Sequence, residues 1–250
     1  MKKILVLFTL VTLLSYFASC RPVAGLPDAI EKEFTRFNDP HEILITSQFE
    51  KMLRELPPKQ IEEVKLRLRT KLKSDTLEIR RRAALVLDSL GDAAGVPVMI
   101  KDMQTVIEQR DRDNIVVALR VMKDRRAIPI LTKSVDDTSP YIRGIALAAL
   151  GEMKAVEAYQ TILNHLHDYE TKGDSCIPMY PASSACYALG ALGDKRAIPH
   201  LMEALNHKET QAAACQALDR LTGEKFHYDV VKWKKWWEKG KPNKSLNRTW

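Results

Sequence analysis

Apolar residues recur at helical spacing along most of this chain, and the pattern itself repeats in blocks. The clearest block is 183–205. Cys186, Leu189 and Leu192 form one apolar stripe, and Ile198, Leu201 and Leu205 form a second. Between them, Gly193 reads as a left-handed helix end and Asp194 as the cap of the next helix. Pro199 falls in the first turn of that second helix, where a missing N–H costs little. Two helices this short cannot bury both stripes by themselves, so the block needs neighbours built the same way.

The chain supplies them. Helix ends of the same type fall at Leu90-Gly91, Met122-Lys123, Leu150-Gly151, Leu192-Gly193 and Leu221-Thr222-Gly223, so the residues before the turns are spaced by 32, 28, 42 and 29. The period is about thirty, with an insertion of about a dozen residues. The second helices align as Val96-Pro97, Ile128-Pro129 and Ile198-Pro199, with Val156-Glu157 in the same place without the proline. In this register Cys186 and Cys215 stand opposite Ala84, Val116 and Gly144, which makes them packing residues. The positions expected to face inward on the second helices are Lys101, Lys133, Thr161 and Glu203.

Low aromatic content (7%) and the absence of long alternating β-branched runs place the chain in the all-α class. The run Ala188-Leu189-Gly190-Ala191-Leu192-Gly193-Asp194-Lys195-Arg196-Ala197-Ile198-Pro199-His200-Leu201 resembles the short HEAT-like repeats first recognised in phycobilisome lyases and found in many bacterial proteins. The resemblance covers about residues 75–224. It implies a right-handed α-solenoid, an α-α superhelix of about five helical hairpins, and says little about function.

The remaining segments fall around this array. Residues 41–74 read as an N-terminal helical cap, and 168–182 as the insertion loop. Residues 225–240 read as a C-terminal capping helix bearing Trp233, Trp236 and Trp237, and 241–250 as a disordered tail. A solenoid's last repeat exposes an apolar face, so the Trp helix reads as its lid, with Trp237 partly exposed. The Thr222-Gly223…Asp229…Trp233-x-x-Trp236 ending is similar to that of many bacterial HEAT-like proteins.

Charge and chemistry refine this picture. Lys2 and Lys3 precede an apolar run from Ile4 to Phe17, then Ala18, Ser19 and Cys20, the order of a secretory signal over 1–19. Phe17-Ala18-Ser19-Cys20 resembles a bacterial lipobox, which implies lipidation at Cys20. Residues 20–40, with three prolines, read as a tether. The chain is expected to be exported to the periplasm or cell envelope and attached to the membrane by a lipid; cleavage after Val23-Ala24-Gly25, giving a soluble secreted protein, is the alternative.

Loss of Lys2 and Lys3 lowers the formal charge from +7 to +5, and the mixed inner positions form no phosphate track, so no nucleic acid is expected. The chain lacks a phosphate loop, HExxH, CxxC and G-x-S-x-G. His165, His167, Asp168 and Cys176 are metal ligands by type only, because His-x-His on a helix points its rings apart. The expectation is therefore a non-catalytic scaffold or adaptor without metal or cofactor, binding a protein partner. Its candidate contacts are Tyr169, Met179, Tyr180, Lys101, Lys133 and Trp237. The alternatives are a phycobilin-lyase-like enzyme, against which an export signal argues, and a module held to anionic membranes by its basic C-terminal segment.

Overall fold

The computed structural model describes residues 55–169 and 181–240. The expected leader, Cys20, the tether, the first helix of the cap, Met179, Tyr180 and the 241–250 tail lie outside the described residues. The chain divides into two units, residues 1–67 and 68–250. Helix α1 (Pro58–Lys71) opens with proline at its first position, where the missing N–H is harmless. Its part within the first unit carries the surface pairs Glu62–Lys65 and Glu63–Arg67.

The second unit continues with α2 (Leu77–Ser89), α3 (Val96–Thr105), α4 (Gln109–Met122), α5 (Ile128–Ser134), α6 (Pro140–Glu152), α7 (Tyr159–Asn164), α8 (Pro181–Leu192), α9 (Ile198–Ala204), α10 (Gln211–Thr222) and α11 (Val230–Gly240), and among the described residues it holds no strand. The helices form an α-solenoid of successive pairs, α2/α3, α4/α5, α6/α7 and α8/α9, closed by α10 with α11. First helices stack on first helices in the order α2, α4, α6, α8, α10, and each of α3, α5, α7 and α9 also packs against the first helix that follows it. The core runs along this seam and includes Leu87, Met99, Leu119, Leu131, Leu150, Ile162, Leu189, Leu201 and Leu218.

The turns within the pairs share one design. A left-handed residue ends the first helix (Gly91, Lys123, Lys154, Gly193), and a single 3-10 turn leads into the second. Asp92, Asp124 and Asp194 cap three of these turns, each accepting from the N–H two residues on, at 3.0, 2.9 and 2.9 Å. The Arg126 and Arg196 guanidiniums hydrogen-bond to Asp124 and Asp194 and hold both carboxyls below the ordinary range.

This design corrects the sequence register in the third pair. The turn expected at Gly151 lies three residues later, at Lys154 (φ 50°), and α6 runs through Gly151. With Gly223 ending α10, the left-handed positions are spaced by 32, 31, 39 and 30, so the insertion is about eight residues rather than a dozen. Tyr159, not Val156, then aligns with Val96, Ile128 and Ile198, and the exposed position matching Lys101, Lys133 and Glu203 is Asn164 rather than Thr161. Cys215 stands eight residues before its left-handed residue, whereas Cys186 stands seven before, so the two are not strict equivalents; both are fully buried.

Gly151 has a different task. A Cβ there would stand 2.5 Å from Ala188 Cα, and one at Gly190 would stand 2.7 Å from Ala217 Cα. The backbones of α6, α8 and α10 therefore touch through glycine–alanine contacts, closer than any side chain permits. Helix α11 covers the far end against α9 and α10. Trp233 is fully buried, donates from Nε1 to the His227 carbonyl at 3.1 Å, and meets the rings of Phe226 and Trp236 edge-on. Trp237 is half-buried, and so is Trp236.

Candidate functional site

One arginine stands eleven residues before the left-handed turn in each of the first three pairs: Arg80, Arg112 and Arg143. Arg80 donates through Nε and Nη2 to Asp102 at 2.9 and 3.0 Å, and through Nη1 to the carbonyls of Ser74 and Asp75. Arg112 makes the same fork to Asp137 at 3.1 and 3.3 Å and reaches the Ile107 carbonyl. Arg143 pairs with Asp168 at 2.7 and 2.9 Å and with the carbonyls of Asp137 and Thr138. Each fork ties the start of a first helix to its own second helix (Asp102) or to the turn just past it (Asp137, Asp168), and planar two-point pairing makes such contacts both strong and directional.

The ladder ends at the fourth pair. Ala182 and Ala212 take the arginine's place, and His207 takes the place held by Asp137 and Asp168, fourteen residues past the turn. At this break the side chains on either side of the insertion meet. Tyr169 stacks on His207 with ring centres 5.1 Å apart and planes 30° apart. His167 meets both edge-on, at 6.3 Å from Tyr169 and 6.2 Å from His207, and its Nδ1 lies 3.4 Å from the Tyr169 hydroxyl.

Several bonds fix this cluster. Arg143 holds Asp168, next to Tyr169 in sequence, and the Ala182 N–H donates to the Asp168 carbonyl. Thr210 donates to the Ala204 carbonyl at 2.7 Å and so fixes the loop carrying His207. His165 lies between Asp136 and Asp168, at 3.4 and 3.5 Å. Burial holds the Tyr169 phenol above its ordinary range, with the Glu209 carboxylate adding. The arrangement offers a flat, partly exposed aromatic face made of one phenol and two imidazoles.

A second polar centre lies between α4 and α6. Burial, with Asp137 adding, lifts Asp113 to about 6 against the opposing charge of Arg112. Its Oδ1 is buried and, among the described residues, has no hydrogen-bond partner. Tyr141 lies near enough for the Asp113 charge to raise its phenol further, after burial. Cys186 is pushed up to about 12 and Cys215 to about 11, in both cases first by burial, so neither is a nucleophile.

The sequence-derived contacts fall at separate places. Lys101 and Lys133 are exposed on α3 and α5, Tyr169 sits in the cluster, and Trp237 belongs to α11. His165 and His167 lie past the end of α7, so the helical argument against their meeting does not apply. Among the described residues, no group of three or more His, Cys, Asp or Glu is placed to hold a metal. His207 was not among the sequence candidates. The misplaced turn hid the signal for it, a histidine standing where an aspartate recurs.

Residues 183–207 match the family described as PBS lyase HEAT-like repeat. No curated protein matches the chain. Among solved structures, the complex of CpcE and CpcF of phycocyanin lyase from Nostoc sp. PCC7120 is similar, with a TM-score of 0.55 and 23% identity over 67% of this chain and 68% of the matched chain. The chain is thus a HEAT-like repeat protein, and at this identity the structural likeness speaks for the fold. The expectation of a non-catalytic chain is corrected here: the matching repeat takes its name from a lyase, and the similar structure is a lyase complex.

Proposed function

We propose that this chain is a lyase-like HEAT-repeat protein, of the phycobilin-lyase type, that acts together with another protein chain. The observation that carries this reading is the likeness to a two-subunit phycocyanin lyase over two thirds of both chains. The cluster of His167, Tyr169 and His207 supports it, because making or breaking a bond by addition or elimination needs a proton donor and acceptor beside the reacting group. The stacked ring face suits a flat, conjugated molecule. Cys186 and Cys215 are buried and protonated, so neither holds the substrate covalently.

The test is co-expression with a bilin-producing pathway, phycocyanin apoprotein and envelope extract as the source of a partner chain. Colour that stays with phycocyanin after denaturation, and falls at least about tenfold for His207→Ala, is the expected result. Its absence with the unaltered chain sinks the reading.

Export and lipidation at Cys20 belong to the same proposal, on the signal-like order of residues 1–20. Cys20→Ser is expected to lower the mature mass by a lipid and release the chain from the membrane fraction. Unchanged mass and fractionation would remove this part alone.

A further inference from the structure

Helix α11 turns Trp233 to the solenoid, and its outer side carries exposed lysines, with exposed Glu238 beside them. Trp233 points inward and is fully buried. At about 100° per residue, Lys232, Lys235 and Lys239 fall within about 60° of one another on the outer side, in a line roughly 10 Å long. All three are exposed. Lys232 pairs with Asp229 at 3.1 Å, and among the described residues no acidic group pairs with Lys235 or Lys239. Half-buried Trp236 flanks the line on one side, and Val231, 61% exposed, flanks it on the other. Tyr228, 63% exposed, stands just before the helix.

We propose that this outer face docks on a surface of anionic lipid headgroups. The charge complementarity is direct, since lysines near such a surface are drawn to it and long lysine stems let the ammonium groups reach the phosphates. Indole and phenol rings beside lysine are the combination that suits the headgroup layer, apolar at one end and wet at the other. A single convex helix offers no groove in which a nucleic-acid strand could run, whereas a bilayer is locally flat and meets the lysine line along its length. Because its apolar face is already buried, α11 lies on the headgroups and does not insert. The proposal is independent of the lyase-like reading.

The experiment compares the full chain on vesicles of phosphatidylcholine alone and of phosphatidylcholine mixed with phosphatidylglycerol. An apolar leader, if retained, binds both, so the difference between them reports the charged face. The unaltered chain is expected to bind the mixed vesicles at least about tenfold more tightly, with the difference shrinking as salt rises. Lys235→Ser with Lys239→Ser abolishes most of that difference while leaving the helical circular dichroism and the binding to phosphatidylcholine unchanged. Equal binding of the unaltered chain to both vesicles overturns the proposal. So does a variant that keeps the full difference, or a nucleic acid that binds more tightly than the mixed vesicles and displaces them.

Discussion

Asp113 carries the largest electrostatic cost among the described carboxylates. Its charged form is disfavoured by burial, and its Oδ1 finds no partner among the described residues. In the unfolded chain the same carboxyl titrates near 3.8, and in the folded one near about 6. The folded state therefore holds its proton longer, and the contribution of this group to stability is full below 3.8 and lost as pH rises through about 6. Asp113→Asn is expected to raise the thermal midpoint at pH 8 and to leave it nearly unchanged at pH 4. Equal shifts at both values, measured by thermal melts in matched salt, would show that the cost is not one of ionisation. Nothing in the sequence marks Asp113. It is one acidic residue in a helix rich in charges, and its burial comes from the fold rather than from any local pattern.

At the scale of the element, the contacts Gly151–Ala188 and Gly190–Ala217 decide how closely α6, α8 and α10 approach. Gly151→Ala places a methyl against backbone, which has no rotamer to yield, and is expected to cost about 2–3 kcal/mol in denaturant titration. If Gly151 were the turn residue, alanine would instead cost about 1 kcal/mol through backbone conformation alone. The same measurement therefore separates the two registers. The helical pairs, the capping aspartates and the buried cysteines were legible in the sequence because periodicity and turn chemistry are local. The third turn was misread because Leu150-Gly151 imitates Leu90-Gly91 and Leu192-Gly193. The better match was present: Ala149-Leu150-Gly151-Glu152-Met153-Lys154 shares Ala-Leu-x-x-Met-Lys with Ala118-Leu119-Arg120-Val121-Met122-Lys123. A lysine in the left-handed region is a poor signal, since glycine is the residue that ordinarily announces such a turn. The meeting of Tyr169 with His207 depended on that register and on packing across pairs, so no local pattern revealed it.

For the second unit as a whole, stability is shared between neighbours, and the end of the array depends on what covers it. Trp233→Ala removes a fully buried indole and its bond to the His227 carbonyl, a loss of about 3–5 kcal/mol. That loss is expected to fall unevenly. Amide hydrogens of α9 and α10 should exchange faster, while those of α2 to α4 keep their protection. A uniform rise in exchange along the chain would mean that the array melts as one cooperative block.

The glycine–alanine contacts also govern how the last helical pairs can move. Where two backbones touch without side chains between them, they cannot part without opening a gap. Gly151–Ala188 is such a touch between α6 and α8, and Gly190–Ala217 is one between α8 and α10. A side chain added at either point would therefore be felt as a parting of the helices, carried on to the end that α11 covers.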